Sequence, residues 1–224
     1  MAHYIILGGH GKVALRAAQL LTEKTNTVTS VIRQEEQIPD VQATGATAQV
    51  LDLEQASQDD LAEAFSDQDA VIFAAGAGGG NPDRTYAVDL QAAKRSIDAA
   101  KQARVSRFIL ISYAGCRRDH GVAETDSFYP YAEAKSQADE YLRNSGLDYT
   151  ILGPGLLTLE EPTGKIMEVP EDHPRDENER RETSRAHVAS AIVAALDHPE
   201  SIGHKIDFFD GDTPIDEVFS AQRD

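Results

Sequence analysis

The chain has 224 residues, 41% hydrophobic and 26% charged, close to the norm for a soluble globular protein and long enough to bury a sizeable core; disordered, collagenous and coiled-coil chains are excluded. The 21 basic and 38 acidic residues leave a net charge of −17, and such a surface repels phosphate backbones over a Debye length of about 8 Å, so no nucleic-acid partner is expected. No apolar run approaches the roughly 20 residues of a bilayer crossing. The opening MAHYIILGGHGK has no basic start and no cleavage site of a signal peptide, and the single Cys116 allows neither an internal disulfide nor a cysteine-rich zinc site. The expectation is a soluble, cytoplasmic chain with no membrane partner.

Taken in chain order, apolar periodicity predicts strands over 3–7, 27–32, 46–51, 70–75, 107–112, 149–152 and 205–209. Helices are predicted over 12–23, 83–103 and 130–144, and near 55–65 and 184–196. Runs such as AVIFAA and RFILIS are apolar throughout, as strands buried on both faces are. Their alternation with helix-length segments predicts a doubly wound parallel α/β sheet flanked by helices. One domain is expected over 1–224, with a smaller substrate-side region from about 154 onward. The segment EDHPRDENERRE at 171–182 has six acids, three arginines and no aliphatic residue; it reads as a solvated loop, or as a lid over a substrate pocket. The stretch GDTPIDEVF reads as a last short helix from Pro214, capped by Asp212 or Thr213.

The first strand runs into GGHGKVA, so Gly9-His10-Gly11-Lys12-Val13-Ala14 reads as G-x-G-x-x-A opening a βα unit. Gly8 and Gly9 permit a tight turn, Gly11 lets the backbone approach a pyrophosphate, and Ala14 permits close helix–strand packing. The first-turn N–H groups then face the anion with the helix dipole behind them. Gly8, Gly9, His10, Gly11, Lys12 and Val13 are therefore candidate cofactor contacts in a Rossmann-like NAD(P)-binding fold. His10 itself reads as a loop side chain pointing to solvent. At the end of the second strand an acid would suit the ribose 2′-hydroxyl of NAD, whereas Arg33 suits a 2′-phosphate, so NADP(H) is favoured and NAD(H) stays open. Glu35 and Glu36 are expected in the loop beyond. His120, His173, His187, His198 and His204 show no ligand spacing, and no metal is expected.

Together with GGHGKVA, the pieces LDL, VIFAAGAGG, VDLQAAKRSIDAAK, RFILIS, YAEAK, GLDYTILGPGLLT and SRAHVASAIVAAL make the chain resemble the atypical short-chain dehydrogenase/reductases, NmrA-like and flavin/biliverdin-reductase-like proteins. The resemblance covers nearly the whole chain. It implies that Asp52 and Leu53 approach the adenine, an acid that otherwise reads as a helix cap. It also implies that Ala74, Ala75 and Gly76 underlie the ribose and pyrophosphate, and that Pro154, Gly155 and Leu156 meet the nicotinamide. Tyr131 and Lys135 form Y-x-x-x-K on one helix face; by the resemblance Tyr131 exchanges a proton with the substrate oxygen, while Lys135 binds the ribose and lowers the phenol pKa. Ser112 is the candidate hydrogen bond to the substrate oxygen. Two departures from the family's pattern stand out: Tyr113 follows Ser112 where a second Ser or Thr is expected, and Gly153 stands before Pro154-Gly155 where family members often carry arginine.

The reading is hydride transfer between NADP(H) and a small organic acceptor of carbonyl, quinone or flavin type, with Tyr131, Lys135 and Ser112 catalytic. An epimerase or dehydratase reaction uses the same parts. A non-catalytic NADP(H)-binding redox sensor and a bare interaction surface are the alternatives, and the chain is expected to be a monomer or homodimer acting on a small molecule.

Overall fold

The computed structural model describes residues 1–78, 81–173 and 181–223; the expected glycine turn at 78–82 and the acidic stretch at 171–182 thus lie partly outside the described residues. In chain order the elements are β1 (His3–Leu7), α1 (Lys12–Glu23), β2 (Thr27–Ile32), α2 (Ile38–Gln42), β3 (Thr47–Val50), α3 (Gln58–Ala64) and β4 (Ala70–Phe73). Then come α4 (Pro82–Thr85), α5 (Ala93–Ala103), β5 (Arg107–Ile111), α6 (Tyr129–Arg143), β6 (Asp148–Pro154), β7 (Leu156–Thr158) and β8 (Lys165–Val169). The last are β9 (Glu182–Ser184), α7 (Arg185–Asp197), β10 (His204–Asp210), β11 (Thr213–Pro214) and α8 (Ile215–Ser220).

Among the described residues, nine strands form one sheet in the order β11-β8-β10-β6-β5-β4-β1-β2-β3. From β3 to β10 every pairing is parallel. The period of two along each strand divides the apolar side chains between two cores. Ile6, Ile72, Ile109 and Leu152 pack with α1, α7 and α8; Ile5, Leu7, Val71, Phe73, Phe108, Leu110 and Ile151 pack with α3, α5 and α6. The doubly wound α/β expectation is borne out, and the reason is visible: strands apolar on both sides require helices on both sides.

Four expectations change. The sheet is not parallel throughout, because β8 runs antiparallel to β10 and β11 to β8; KIMEV buries only Ile166 and Val169 and carries no buried-strand run. The helix expected over 83–103 is divided into α4, a π-helical stretch Tyr86–Ala92, and α5. Glu35 and Glu36 lie in a 3-10 turn, Glu35–Gln37. Finally, α8 follows Pro214 without a side-chain cap from Asp212 or Thr213.

Arg107, at the start of β5, ties the sheet to the C-terminal elements. Its Nη1 donates to Asp148 O at 2.7 Å, and its Nη2 to Thr150 Oγ1, Ala195 O and Ser201 Oγ at 2.8, 2.6 and 3.2 Å. Burial lowers its pKa to about 10, opposed by Asp148, so it remains charged at neutral pH. Replacing it leaves several buried acceptors unpaired, and Arg107→Met is expected to cost about 3 kcal/mol in urea unfolding. Arg107→Lys, a compact ammonium that cannot span these acceptors, recovers less than half. Unchanged midpoints in both variants would refute this anchoring.

Candidate functional site

At the end of β1 the chain turns on Gly8, whose φ of +78° L side chains rarely adopt; a Cβ there would approach Ala75 Cα to 2.6 Å. Gly9 donates to Val31 O at 2.8 Å and lies flat on Ser30. Gly11 donates to Gly8 O at 2.9 Å and caps α1. The first-turn N–H groups of α1 then have no helical acceptors, and the positive end of its dipole meets the strand ends.

A cleft of about 290 Å³ opens there, lined by Gly8, His10, Gly11, Arg33, Asp52, Leu53, Ala74, Ala75 and Gly76 of the expected cofactor set. Gly9, Lys12 and Val13 do not line it: Gly9 serves the packing on Ser30, Lys12 is exposed, and Val13 packs against the core. His10 does not simply point to solvent; Nε2 lies 2.7 Å from Asp40, and Nδ1 3.2 Å from the Gln37 amide. Asp52 Oδ1 accepts from Glu54 N at 3.0 Å, so this acid organises its own turn while lining the cleft. Arg84 faces the same cleft, and its Nε and Nη2 both lie 3.0 Å from Glu54 Oε1, with Arg33 Nη1 at 3.6 Å from that oxygen. Two guanidiniums therefore stand at one edge. The small residues leave space that side chains would fill, and the positive groups face it, so the residues present fit a dinucleotide.

Beyond the ends of β5 and β6 lies a second cavity of about 680 Å³. Ser112, Tyr113, Tyr131, Pro154, Gly155 and Leu156 line it, together with Phe128, Leu157, Arg181, Arg185 and Phe209. The expected hydrogen bond from Ser112 to substrate is not prepared: its hydroxyl donates to Asp139 Oδ2 at 2.7 Å, and the residue is buried. Nor does Tyr113 stand in for it, since its Oη is buried beside the Cys116 thiol, and burial pushes both groups well above their ordinary pKa. Tyr131 is different. Its ring lies 5.7 Å from that of Tyr113 and 5.4 Å from that of Phe128, and its hydroxyl makes no hydrogen bond among the described residues. Burial raises its pKa against the opposing pull of Lys135, so it holds its proton at neutral pH.

Lys135 lines neither cavity and sits behind Tyr131, its Nζ 5.9 Å from the ring centroid. The side chain is 3% exposed, and Nζ lies 3.6 Å from Asp89 Oδ1. The π-helical stretch delivers Asp89, whose other oxygen accepts from Ala77 N at 3.0 Å, so one carboxylate links the cleft floor to the buried lysine. Burial lowers the Lys135 pKa, but Tyr131, Asp89 and Asp139 outweigh it, so the net shift is upward. Burial raises Asp139 to about 6, against the Ser112 bond and the charges of Lys205 and Lys135. The place of the missing arginine is also explained. Gly153 pairs with Asp207 across β6 and β10, and a Cβ at 153 would overlap Asp207 Oδ1. Lys205 Nζ, 3% exposed, lies 2.7 and 2.8 Å from the Asp207 oxygens.

Residues 8–199 match the family described as NAD(P)H-binding. The chain belongs to this family. It is 35% identical to an uncharacterised sugar epimerase, YhfK, of Bacillus subtilis, over 95% of this chain and 96% of the relative. Among solved structures it resembles an NAD-dependent epimerase/dehydratase from Bacillus halodurans at 33% identity and a TM-score of 0.87, covering 98% and 99% of the two chains. The oxidoreductase ylbE from Lactococcus lactis follows at 30% identity and 0.83, covering 97% and 94%. As a family member the chain has a nicotinamide-dinucleotide fold of oxidoreductase type. No helix among its described residues is long and apolar enough to cross a membrane.

Sequence reasoning missed Arg84, Glu54, Asp89, Asp139 and Arg185. Asp89 left a signal, an acid between Val88 and Leu90 in an otherwise mostly apolar helical stretch; the others had none. The raised Asp139 carboxyl carries a pH signature. Its folded pKa of about 6 exceeds the ordinary 3.8, so the proton binds more tightly in the folded state. That stabilisation is complete below 3.8 and is lost as pH rises through 6. Wild type should therefore gain on the order of 1 kcal/mol relative to Asp139→Asn between pH 7.5 and pH 5 in urea titrations. Parallel pH profiles would rule out the raised carboxyl.

Proposed function

We propose that the chain is an NADP(H)-dependent reductase of a small, conjugated acceptor of quinone, flavin or carbonyl type. The observation that carries this reading is Tyr131, a protonated phenol in a largely apolar chamber, backed by a buried ammonium and set at the same C-terminal edge of the parallel strands as the dinucleotide cleft. A nicotinamide dinucleotide held in the cleft would supply the hydride. Tyr131 supplies the proton: its O–H bond breaks as a bond forms to the acceptor heteroatom, completing the two-electron reduction. The phenolate left behind is stabilised by Lys135 and recovers its proton from water. Asp89 holds Lys135 in register with the cleft floor through Ala77. Ser112, bonded to Asp139, positions the end of β5 and gives no proton to the acceptor.

Two relatives are described as epimerases, and such reactions employ the same tyrosine and lysine. The chamber here has Tyr113, Phe128, Tyr131 and Phe209 on its walls, which suits a flat conjugated acceptor better than a sugar. For the cofactor, Arg33 and Arg84 at one edge of the cleft provide charge-assisted contacts to a 2′-phosphate, with Glu54 holding both guanidiniums in place.

Calorimetric titration should give NADPH an affinity at least about tenfold above NADH, a margin lost in Arg33→Ala and in Arg84→Ala. Equal affinities in the wild type would remove both arginines from this role. With any acceptor that is turned over, Tyr131→Phe should lower kcat by a factor on the order of 100 or more while dinucleotide affinity stays within about twofold. A kcat near that of the wild type would refute the proton donor.

A further inference from the structure

We infer that the chamber beside Tyr131 selects an acceptor that is both aromatic and anionic, with Arg185 as the residue that reads the negative group. The inference rests on the reductase reading for the site and goes beyond it in naming the substrate class. In a chain of net charge −17, the charged side chains lining this cavity, among the described residues, are two arginines, Arg181 and Arg185, and no acid. Arg185 thus places a positive charge in the wall of this cavity, opposite in sign to the charge of the chain as a whole. The walls are aromatic: Tyr131, Tyr113 and Phe128 pack on one another, and Phe209 carries the Arg181 guanidinium 5.8 Å from its ring centroid. A flat ring system matches these walls, and a carboxylate, sulfonate or phosphate substituent matches Arg185.

Arg185 is built for the second task. It begins α7, directly after Ser184, whose hydroxyl caps Ala186 N, so the positive end of a 13-residue helix lies behind it. Its Nη1 donates to Leu157 O at 2.9 Å and Thr158 O at 3.0 Å, which fixes the plane of the guanidinium against β7. Among the described residues, its Nε and Nη2 make no hydrogen bond and no carboxylate pairs with it, so two donors remain for an anion in a fork already oriented. Leu156, 72% exposed at the mouth, extends the apolar wall outward.

Riboflavin and its 5′-phosphate, FMN, share one ring system and differ in one anionic group, so they isolate the charge. Binding to the protein saturated with NADP is read by flavin fluorescence. FMN is expected to bind at least about tenfold more tightly than riboflavin, although the net charge of the protein alone would disfavour it. Arg185→Gln should abolish that margin and leave riboflavin within about twofold, while Arg185→Lys keeps part of it. Equal binding of the two flavins to wild type overturns the inference, as does an equal loss for both in Arg185→Gln. If that variant fails to fold by circular dichroism, raising the salt on wild type replaces it: the margin must shrink while riboflavin binding holds, and a salt-independent margin overturns the inference. Failure of NADP to bind would count against the reductase reading alone. The two flavins on the ligand-free protein, with and without Arg185→Gln, then decide the anion preference separately.

Discussion

A lysine ammonium held at 3% exposure is the constraint around which the site is arranged. Such a charge is stable only where opposite charges and hydrogen-bonding groups replace the water it has lost. Asp89 and Asp139 surround Lys135, and each is tied to something the site needs. Asp89 reaches it from a π-helical stretch and bonds the backbone at Ala77, just past the small residues that floor the cleft. Asp139, one turn further along α6, takes the Ser112 hydroxyl at the end of β5. Lys135 thereby fixes the geometry of three elements at once, and leaves Tyr131 as the hydroxyl that faces the chamber without a bond.

The same logic runs on through β10. Lys205 and Asp207 form a second buried pair opposite Gly153, in the space an arginine side chain at 153 would need. The positive charge removed from one strand is supplied by its neighbour, facing inward, where it adds to the field on Asp139 and not to the substrate side. The charge presented to the substrate side comes instead from α7 and the chain leading into β9, as Arg185 and Arg181. The site thus separates a buried ionic layer that positions Tyr131 from an aromatic and cationic layer that lines the chamber.

Much of this was legible in particular residues. The runs HYIIL, AVIF and RFILI announce strands buried on both faces, and β1, β2 and α1 fall on their expected bounds. The glycines of GGHGKVA require a positive φ at Gly8 and a flat approach of Gly9 to Ser30, demands that a linear pattern encodes directly. Arg33, Asp52 and Ala74–Gly76 line one cleft because each ends a parallel strand, and parallel strands bring their C-terminal ends to one edge. Less legible was the helix after β4: nothing in its apolar periodicity marks the π-helical stretch Tyr86–Ala92, which carries Asp89 to within 3.6 Å of Lys135 Nζ.

What the sequence alone determined is the pattern of apolar faces, the turn chemistry of the phosphate loop and the i, i+4 pairing of Tyr131 with Lys135, all short-range and set by backbone geometry. The tertiary structure decided which polar groups are spent and which are left available. Ser112 is consumed by Asp139, Arg84 and Arg33 converge on Glu54, and Arg185 keeps two donors free. Those outcomes depend on which side chains meet across 21 or more positions of chain, and on the high cost of leaving a buried charge or hydroxyl unpaired. Neither can be computed from spacing along a single strand or helix.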